Sequence, residues 1–250
     1  MSKNIATNLF NDKISIYVTE CLSTNDILTN LLKRNKVVEG DSIETDFQYQ
    51  GKGQRNNTWI SEKDSNILLS FLLSPNLKVE NQFIIHVLVS ISLIRLLNKL
   101  NIDARIKWPN DIYVGNKKIA GILIENFIFK KKVQNSVVGI GLNLNQKKFK
   151  GFRATSVYLE TNIKYEKKEV VDILKNLISF EYTRISKSLI KKIIQYKKLL
   201  YGFNEIKKFK IDSEIVKARI IDISVNGDLI LNINKKYKKF SYGSLSLLEE

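Results

Sequence analysis

Residues 107–111 read Lys-Trp-Pro-Asn-Asp and close a predicted strand over residues 104–108. The proline fixes its own φ angle and holds the residue before it in an extended backbone, while asparagine and aspartate are common turn residues. Lys107 therefore stands where a strand meets a rigid turn. A lysine in that position can neutralise negative charge that develops at a phosphorus centre.

The segments on both sides of this motif alternate between strand and helix patterns. A helix is predicted to begin at Ser23-Thr24, with a side-chain oxygen at its cap. The order of the elements predicts an α/β fold in which helices flank a mixed β-sheet. Strands are predicted at 14–20, 43–48, 66–74, 104–108, 118–129 and 133–144, and further helices at 81–100 and 167–201.

The tail of the chain has a different pattern. Its short alternating runs predict several strands, and Asn226-Gly227 favours a two-residue type I′ hairpin turn. We therefore predict a larger domain at 1–203 and a small C-terminal β domain at 204–250, folded as a barrel.

The composition is that of a globular protein with an ordinary core, since 44% of its 250 residues are hydrophobic. No apolar run approaches the ~20 residues that span a bilayer, and the N-terminus lacks the apolar stretch of a signal peptide. We therefore expect a cytoplasmic protein with no membrane partner. Cys21 is the single cysteine, which excludes an internal disulfide framework and a metal site built from several thiolates.

The formal net charge of +16 raises the alternative of a basic nucleic-acid-binding module. The cations are mostly lysines spread along a chain that is also rich in asparagine and isoleucine, and this pattern indicates compositional bias. No helix-turn-helix, zinc knuckle or aromatic-rich sheet signature accompanies them. We expect no specific DNA partner, and only weak binding to random duplex DNA that disappears near physiological salt.

A polar loop at 50–58 follows the predicted strand 43–48 and contains Gly51-Lys52-Gly53. Glycines let backbone N–H groups approach an anion closely, and the lysine adds positive charge. Arg55 adds a second cation, and Trp59 offers a stacking surface for a purine. The spacing of a Walker A loop is absent, and a solvated surface turn explains this segment alone equally well.

Two later segments place small residues inside predicted strands. Ala120-Gly121 and the pair Gly139 and Gly141 indicate that a ligand or another backbone comes close, with a β-bulge or tight packing as the alternative. His86 lies mid-helix among apolar residues and, like Cys21, is expected to be structural.

Together, and in this order, the motifs resemble those of biotin–protein ligases over roughly residues 14–250. The resemblance rests on a Ser-Thr-Asn helix start, a glycine loop that ends in tryptophan, the Lys-Trp-Pro-Asn-Asp turn, a Lys-x-Ala-Gly-Ile-Leu-x-Glu strand, a Gly-x-Gly-x-Asn strand and Ala-Thr-Ser. In this sequence they occupy 23–25, 51–59, 107–111, 118–125, 139–143 and 154–156.

The resemblance implies the fold shared with class II aminoacyl-tRNA synthetases and an SH3-like C-terminal barrel. It implies an enzyme that uses ATP and Mg²⁺ to convert biotin to biotinyl-5′-AMP and joins biotin to one lysine of a biotin carboxyl carrier protein. It also implies a short form without repressor function, because the 22 residues before Ser23 leave no room for the DNA-binding domain of some relatives. A monomer or a homodimer is expected.

The resemblance also implies the site residues. Lys107 and Lys52 would act at the reacting carboxylate and phosphates, and no metal ligand is assigned. Biotin would be bound by Ser23, Thr24, Asn25, Gln48, Lys52, Gly53, Gln54, Lys107 and Gly121. ATP would be bound by Gly51, Lys52, Gly53, Gln54, Arg55, Trp59, Lys107, Asn110 and Asn143.

The loop departs from the family pattern. Lys52 and Gln54 stand where the family has arginines, and Asn56 and Asn57 replace a glycine and an arginine. The loop keeps its glycines but loses guanidinium groups that hold a phosphate with two hydrogen bonds. The nearest alternative is a lipoate or octanoate ligase of the same fold, but the Gly-Gly-Gly-type loop motif of that group is missing and the motif at 107–111 argues against it.

Overall fold

The computed structural model describes residues 8–185 and 189–248. Its larger part is a sheet of eight strands with flanking helices, and its smaller part is a five-stranded sheet that begins at Ile206. The predicted helical region at 167–201 and both predicted domains include residues that lie outside the described ranges.

The larger sheet is mixed. β1 and β2 run parallel, and the remaining pairs are antiparallel. The predicted mixed sheet is therefore confirmed. Its strands are β1 (Ser15–Cys21), β2 (Ser42–Gln48), β3 (Ile67–Leu73), β4 (Leu77–Lys78), β5 (Arg105–Lys107), β6 (Asp111–Val114), β7 (Lys117–Phe129) and β8 (Lys132–Leu142), and they pair in the order β1-β2-β3-β8-β7-β6-β5, with β4 on β8.

Helices cover the sheet, and the longest of them is buried along most of its length. That helix, α2, packs against α4, α5 and several strands of the sheet. The helices in the described ranges are α1 (Thr24–Lys33), α2 (Phe83–Lys99), α3 (Val157–Thr161), α4 (Lys167–Tyr182) and α5 (Leu189–Lys198).

One helical segment in the described ranges, Val79–Lys99, is long and apolar enough to cross a membrane by length and composition. It consists of a 3₁₀ turn at Val79–Asn81 followed by α2. The expectation that no segment reaches that length is therefore wrong for this stretch. Within the protein, 67% of its most apolar window is buried. A helix that is apolar all round and covered by its neighbours is typical of a protein core.

β3 contributes side chains to two hydrophobic clusters, one on each face of the sheet. All seven of its residues are buried, as expected for a continuous apolar run covered on both faces. Because side chains alternate along a strand, Leu69 and Phe71 join the core that contains α2, while Leu72 packs with Leu28 of α1. Ser70 points to the α1 side as well, where it bonds to residues of that helix.

Two local expectations need correction. α1 begins at Thr24 as predicted, but the Ser23 side chain makes no capping hydrogen bond. The backbone N–H of Thr24 instead donates to Gln48 Oε1 at 2.9 Å, because β2 brings that amide to the helix start. Asp111 belongs not to a simple turn but to a strand, β6, in which it pairs with Gly121.

The C-terminal sheet is antiparallel and open. Among the described residues no pairing joins its two outer strands, so the predicted SH3-like barrel stays a prediction. Its strands are β9 (Ile206–Ile211), β10 (Glu214–Ile223), β11 (Leu229–Ile233), β12 (Lys236–Phe240) and β13 (Leu245–Leu247), in the order β12-β11-β10-β9-β13.

The hairpin between β10 and β11 is confirmed, but its predicted type I′ turn is wrong. That turn needs positive φ at both central residues, and only Gly227 of the pair has it, at 93°. Ser224 N–H donates to the Asp228 carbonyl oxygen at 2.9 Å, so three residues, including Val225, form the connection.

The two sheets meet at the Lys-Trp-Pro-Asn-Asp segment. Trp108 Nε1 donates to the carbonyl oxygen of Gly227 at 2.9 Å. The Trp108 ring also meets the ring of Tyr242 edge-on, with centroids 5.9 Å apart. The C-terminal sheet is therefore anchored beside the residues that follow Lys107.

Candidate active site

A small cavity lies between the 50–58 loop and the strands β7 and β8. Its volume is about 130 Å³, below the roughly 300–1,000 Å³ of typical ligand sites. In this arrangement the loop leaves less room than a ligand of ordinary size occupies. The cavity is lined by Ser23, Thr24, Asn25, Gln48, Lys52, Gly53, Gln54, Asn57, Thr58, Trp59, Leu68, Asn110, Asp111, Lys118, Gly121, Ile122, Leu123, Gly139, Ile140, Gly141 and Tyr242.

The loop has a regular backbone. Lys52 and Thr58 form an antiparallel bridge, and Gly53 N–H donates to the Asn57 carbonyl oxygen at 2.7 Å. A 3₁₀ turn at Gln54–Asn56 closes the tip. The backbone of this segment is thus a short hairpin that covers the cavity.

Three different parts of the molecule hold this hairpin closed. Lys52 Nζ lies 2.5 Å from Asp26 Oδ1 on α1. The guanidinium of Arg55 lies over the ring of Tyr242, 4.7 Å from its centroid. The third contact joins Gln54 to α2. Because Tyr242 belongs to the C-terminal part of the chain and lines the cavity, both sheets contribute to the site.

The strands β7 and β8 form the floor of the cavity, and the Trp59 side chain lies on this floor. Gly121 and Gly141 are paired across β7 and β8, and the indole ring lies on both of them. A Cβ on Gly121 would come within 3.0 Å of the ring, and one on Gly141 would overlap it. Gly139 makes room in the same way for the side-chain amide of Asn25. The strand glycines are therefore explained by close side-chain packing.

A buried polar network forms one wall of the cavity. Gln48 Oε1 accepts from the backbone and the hydroxyl of Thr24 at 2.9 and 3.1 Å. Ser70 Oγ lies 2.7 Å from Thr24 Oγ1 and 2.6 Å from Asn25 Oδ1. Asn25 Nδ2 donates to Glu125 Oε2 at 2.8 Å. The members of this network that line the cavity, Thr24, Asn25 and Gln48, carry amide and hydroxyl groups that can hold a neutral ring able to donate and accept hydrogen bonds.

The cation that faces the cavity from the sheet is Lys118. Its Nζ lies 2.8 Å from Asp111 Oδ1 and 5.4 Å from the centre of the Trp59 ring. Lys107 lies elsewhere: its Nζ donates to the hydroxyl of Tyr113 at 3.1 Å and sits over that ring.

Ten of the predicted site residues meet at the cavity, and four do not line it in the described part of the chain. The ten are Ser23, Thr24, Asn25, Gln48, Lys52, Gly53, Gln54, Trp59, Asn110 and Gly121, and the four are Gly51, Arg55, Lys107 and Asn143. Gly51 and Arg55 belong to the loop itself. Asn143 is buried, and its amide donates to the Thr155 carbonyl oxygen at 2.9 Å.

Burial shifts the pKa of two groups near the site. It lowers the pKa of His86 to about 4, so the imidazole is neutral at physiological pH. His86 is partly buried on α2, and its Nε2 lies 3.4 Å from Gln54 Nε2 in the loop. The expectation that it is structural stays a prediction. Burial also raises the pKa of the Cys21 thiol, which makes it a poor nucleophile.

A larger cavity, of about 1030 Å³, lies between the β1–β2 edge and the start of α4. It is open to solvent, and it contains none of the predicted site residues. The smaller cavity is therefore the better candidate, because separate sequence motifs converge on it.

The Biotin/lipoate A/B protein ligase family matches residues 17–143, just over half of the chain. The chain belongs to this family. The matched region contains β1 to β8, and therefore the floor, the polar wall and the loop of the cavity.

Named relatives of this ligase-family protein include two bacterial proteins. The bifunctional ligase/repressor BirA of Bacillus subtilis is 29% identical over 128 residues, which are 51% of this chain and 39% of that protein. The Escherichia coli protein of the same name is 31% identical over 123 residues, 49% of this chain and 38% of that protein. The chain thus spans about two fifths of the length of these relatives.

Solved structures match nearly the whole chain. The biotin protein ligase from Aquifex aeolicus in complex with biotin and ATP has a TM-score of 0.78 and 26% identity, and the match covers 95% of this chain and 100% of that one. The Helicobacter pylori biotin acetyl coenzyme A carboxylase synthetase shares the fold, with a TM-score of 0.59 and 20% identity.

Several residues that line the cavity of this family member, or bond to its lining, had a sequence signal that the motif analysis did not use. Ser70 is the one polar residue in an apolar strand, and a buried polar group needs a partner. Lys118 and Glu125 begin and end a motif that was recognised without a role for either. Tyr242 gave no such signal, since only the packing of the two sheets brings it to the cavity.

Proposed function

We propose that this chain is a biotin–protein ligase. It forms biotinyl-5′-AMP from biotin and ATP and transfers biotin to one lysine of a biotin carboxyl carrier protein. The observation that carries the proposal is the convergence of the helix start, the glycine loop, the 107–111 turn and the glycine strands on one cavity. The names of the relatives and the biotin and ATP bound to the Aquifex aeolicus structure support it.

The polar wall suits the ureido ring of biotin. That ring is neutral, with two N–H donors and one carbonyl acceptor. Thr24, Asn25 and Gln48 bring hydroxyl and amide groups to the cavity lining, and Ser70 bonds to two of these residues. Leu68 and Ile140 add an apolar lining for the rest of the molecule.

The two reaction steps need charge neutralisation more than a protein nucleophile. A carboxylate oxygen of biotin attacks the α-phosphorus, an O–P bond forms, and the bond to pyrophosphate breaks. The amine of the acceptor lysine then attacks the acyl carbon and releases AMP. The first step brings anions together, and the ammonium groups of Lys118 and Lys52 are the cavity cations that offset this repulsion.

Mg²⁺ is proposed as the partner of ATP. The described residues contain no cluster of three or more metal-binding side chains. That is compatible with Mg²⁺, which protein sites commonly hold through one or two carboxylates together with substrate phosphates. Asp111 is the carboxylate in the cavity lining, and it would share its charge between Lys118 and the ion. When bound, the ion would screen the phosphate charges.

The C-terminal sheet is proposed to be the SH3-like domain of the ligase. Its residue Tyr242 contacts the loop and the cavity, so this sheet stabilises the closed site. A lipoate ligase is the second candidate, because the family includes both activities. The biotin ligases among the named relatives favour biotin.

Trapping of the intermediate tests the proposal. The purified chain is incubated with biotin, ATP and Mg²⁺ without an acceptor, and small molecules are identified by mass spectrometry. We expect biotinyl-5′-AMP at close to one equivalent per active site, and its discharge onto a carrier domain but not onto a carrier whose acceptor lysine is arginine. Absence of the adenylate with biotin, under conditions where lipoate gives one, would overturn the proposal.

A further inference from the structure

The ring of His86, the single histidine of the chain, packs against Phe83. Its imidazole stacks on the ring of Phe83, with centroids 5.8 Å apart and planes 16° apart. Phe83 is covered in turn by Gly227, where a methyl group would overlap the ring. Packing therefore fixes the direction in which His86 presents its outer edge.

That edge faces the loop. Gln54 Nε2 lies 3.4 Å from His86 Nε2. Because burial keeps the imidazole neutral, one ring nitrogen is free to accept a hydrogen bond, and the Gln54 amide can donate to it. The contact joins the tip of the loop to α2, independently of the contacts made by Lys52 and Arg55.

The other end of the same carboxamide belongs to the cavity. Gln54 lines the cavity, and its Oε1 atom is buried without a hydrogen bond to any residue in the described ranges. A buried acceptor without a donor is unfavourable, and a hydrogen-bond donor on a ligand would satisfy it.

We propose that His86 is a positioning residue for ligand binding, which holds the Gln54 carboxamide so that the loop stays closed and the amide oxygen faces the ligand. The inference rests on the proposed function only for the identity of the ligand, biotin with ATP. An arginine at position 54 would offer donors alone. Gln54 instead presents an acceptor, so its partner is an N–H or hydroxyl group of the ligand and not a phosphate oxygen.

A double-mutant cycle tests the coupling. Gln54→Ala, His86→Leu and the double variant are compared by the KM for biotin, the KM for ATP and kcat in pyrophosphate exchange. If His86 acts through Gln54, each single variant raises one KM roughly three- to ten-fold, the range of one neutral hydrogen bond, and changes kcat less than about two-fold. The double variant should be no worse than Gln54→Ala alone. Additive losses would overturn the inference.

Two further variants separate positioning from general helix stability. His86→Gln keeps an amide acceptor at a similar reach and should restore the wild-type KM. Ser90→Ala removes a buried hydroxyl one turn along α2 and should change neither constant. A loss in Ser90→Ala equal to that in His86→Leu would mean that α2 stability, and not the Gln54 contact, controls binding.

A substrate-free measurement keeps this test independent of the proposed function. Trypsin cleavage after Lys52 and Arg55 is followed in the ligand-free proteins, with intact fold checked by thermal unfolding. We expect His86→Leu to be cleaved roughly three- to ten-fold faster than the wild type, with His86→Gln and Ser90→Ala unchanged. Equal cleavage of His86→Leu and the wild type would overturn the positioning role, whether or not the chain uses biotin.

Discussion

The indole ring of Trp59 lies against Gly141 so closely that a methyl group on that glycine would overlap the ring. Gly121 lies opposite Gly141 in the neighbouring strand and is covered by the same ring. The loop that ends at Trp59 can therefore close only because two strands of the sheet lack side chains at this point.

Gly141→Ala should prevent this closure. Overpacking at a tight contact costs about 1–3 kcal/mol, so the population of the closed loop should fall by roughly five-fold to 150-fold. We expect the KM for ATP to rise by a similar factor, and trypsin to cleave the ligand-free loop faster. Adding Trp59→Leu should restore protease resistance, since the smaller side chain leaves room for the methyl group. An unchanged KM for ATP and an unchanged cleavage rate in Gly141→Ala would show that loop closure does not depend on the contact between the Trp59 ring and Gly141.

The structure predicts a larger loss of adenylate formation for Lys118→Ala than for Lys107→Ala. Lys118 lines the cavity beside Asp111, whereas Lys107 bonds to Tyr113 outside the lining. Loss of one preorganised charge at the reacting phosphate costs about two or more orders of magnitude, and we expect that loss in single-turnover adenylation for Lys118→Ala.

The sequence placed Lys107 at the reacting carboxylate and phosphates, which would give Lys107→Ala a loss of this size, but the structure predicts a smaller one. The two variants are measured side by side under saturating biotin and ATP, with Lys→Arg at each position as the charge-conserving control. A larger loss at Lys107 than at Lys118 would show that Lys107, and not Lys118, reaches the phosphates during the reaction.

Gln54→Arg tests the charge of the loop. The Gln54 oxygen lines the cavity as an acceptor, whereas arginine offers donors alone, and lost contacts act mainly on dissociation. We therefore expect pre-formed biotinyl-adenylate to leave Gln54→Arg faster than the wild type in stopped-flow release. Gln54→Met is the matched control, because it keeps the length of the side chain without charge. Slower release from Gln54→Arg would mean that residue 54 meets a phosphate oxygen and that the charge of the loop holds the intermediate.

The low pKa of His86 predicts a pH dependence of stability. In the folded protein burial lowers its pKa from 6.5 to about 4. Between these values the unfolded chain binds more protons, so stability increases with pH in this window and is lost as the pH falls through it. From pH 7 to pH 4 the wild type should lose about 1–3 kcal/mol more than His86→Gln in urea unfolding, a range reduced for the partial exposure of the ring. If the unfolding free energies of the wild type and His86→Gln fall in parallel with pH, protonation of His86 is not the cause of the loss.

The sequence predicted those parts of the fold that depend on local pattern. The apolar run of β3 and the periodicity of α2 identified their elements, because burial on both faces leaves a continuous signal. β6 was missed because Asn110-Asp111 is typical of a turn, and the strand exists only through its pairing with β5 and β7. The type I′ turn was wrong because the connection contains one residue more than the Asn-Gly pair.

The site was predictable to the extent that motifs carry it. Ser23-Thr24-Asn25 and the loop residues reach the cavity as the resemblance implied. The contact of Gln54 with His86 and that of Arg55 with Tyr242 join segments far apart in sequence, so no local pattern predicts them. Lys118 was within a recognised motif, but only the pairing of β6 with β7 shows that it faces the cavity.

Exchange of labelled pyrophosphate into ATP tests most directly whether this cavity activates biotin. The purified chain is assayed with Mg²⁺ and biotin, with lipoate in place of biotin, and with neither acid, and Lys118→Ala is run beside it. We predict exchange that depends on biotin, falls to the no-acid background with lipoate, and drops by about two orders of magnitude in Lys118→Ala. Exchange with lipoate but not with biotin would contradict the assignment.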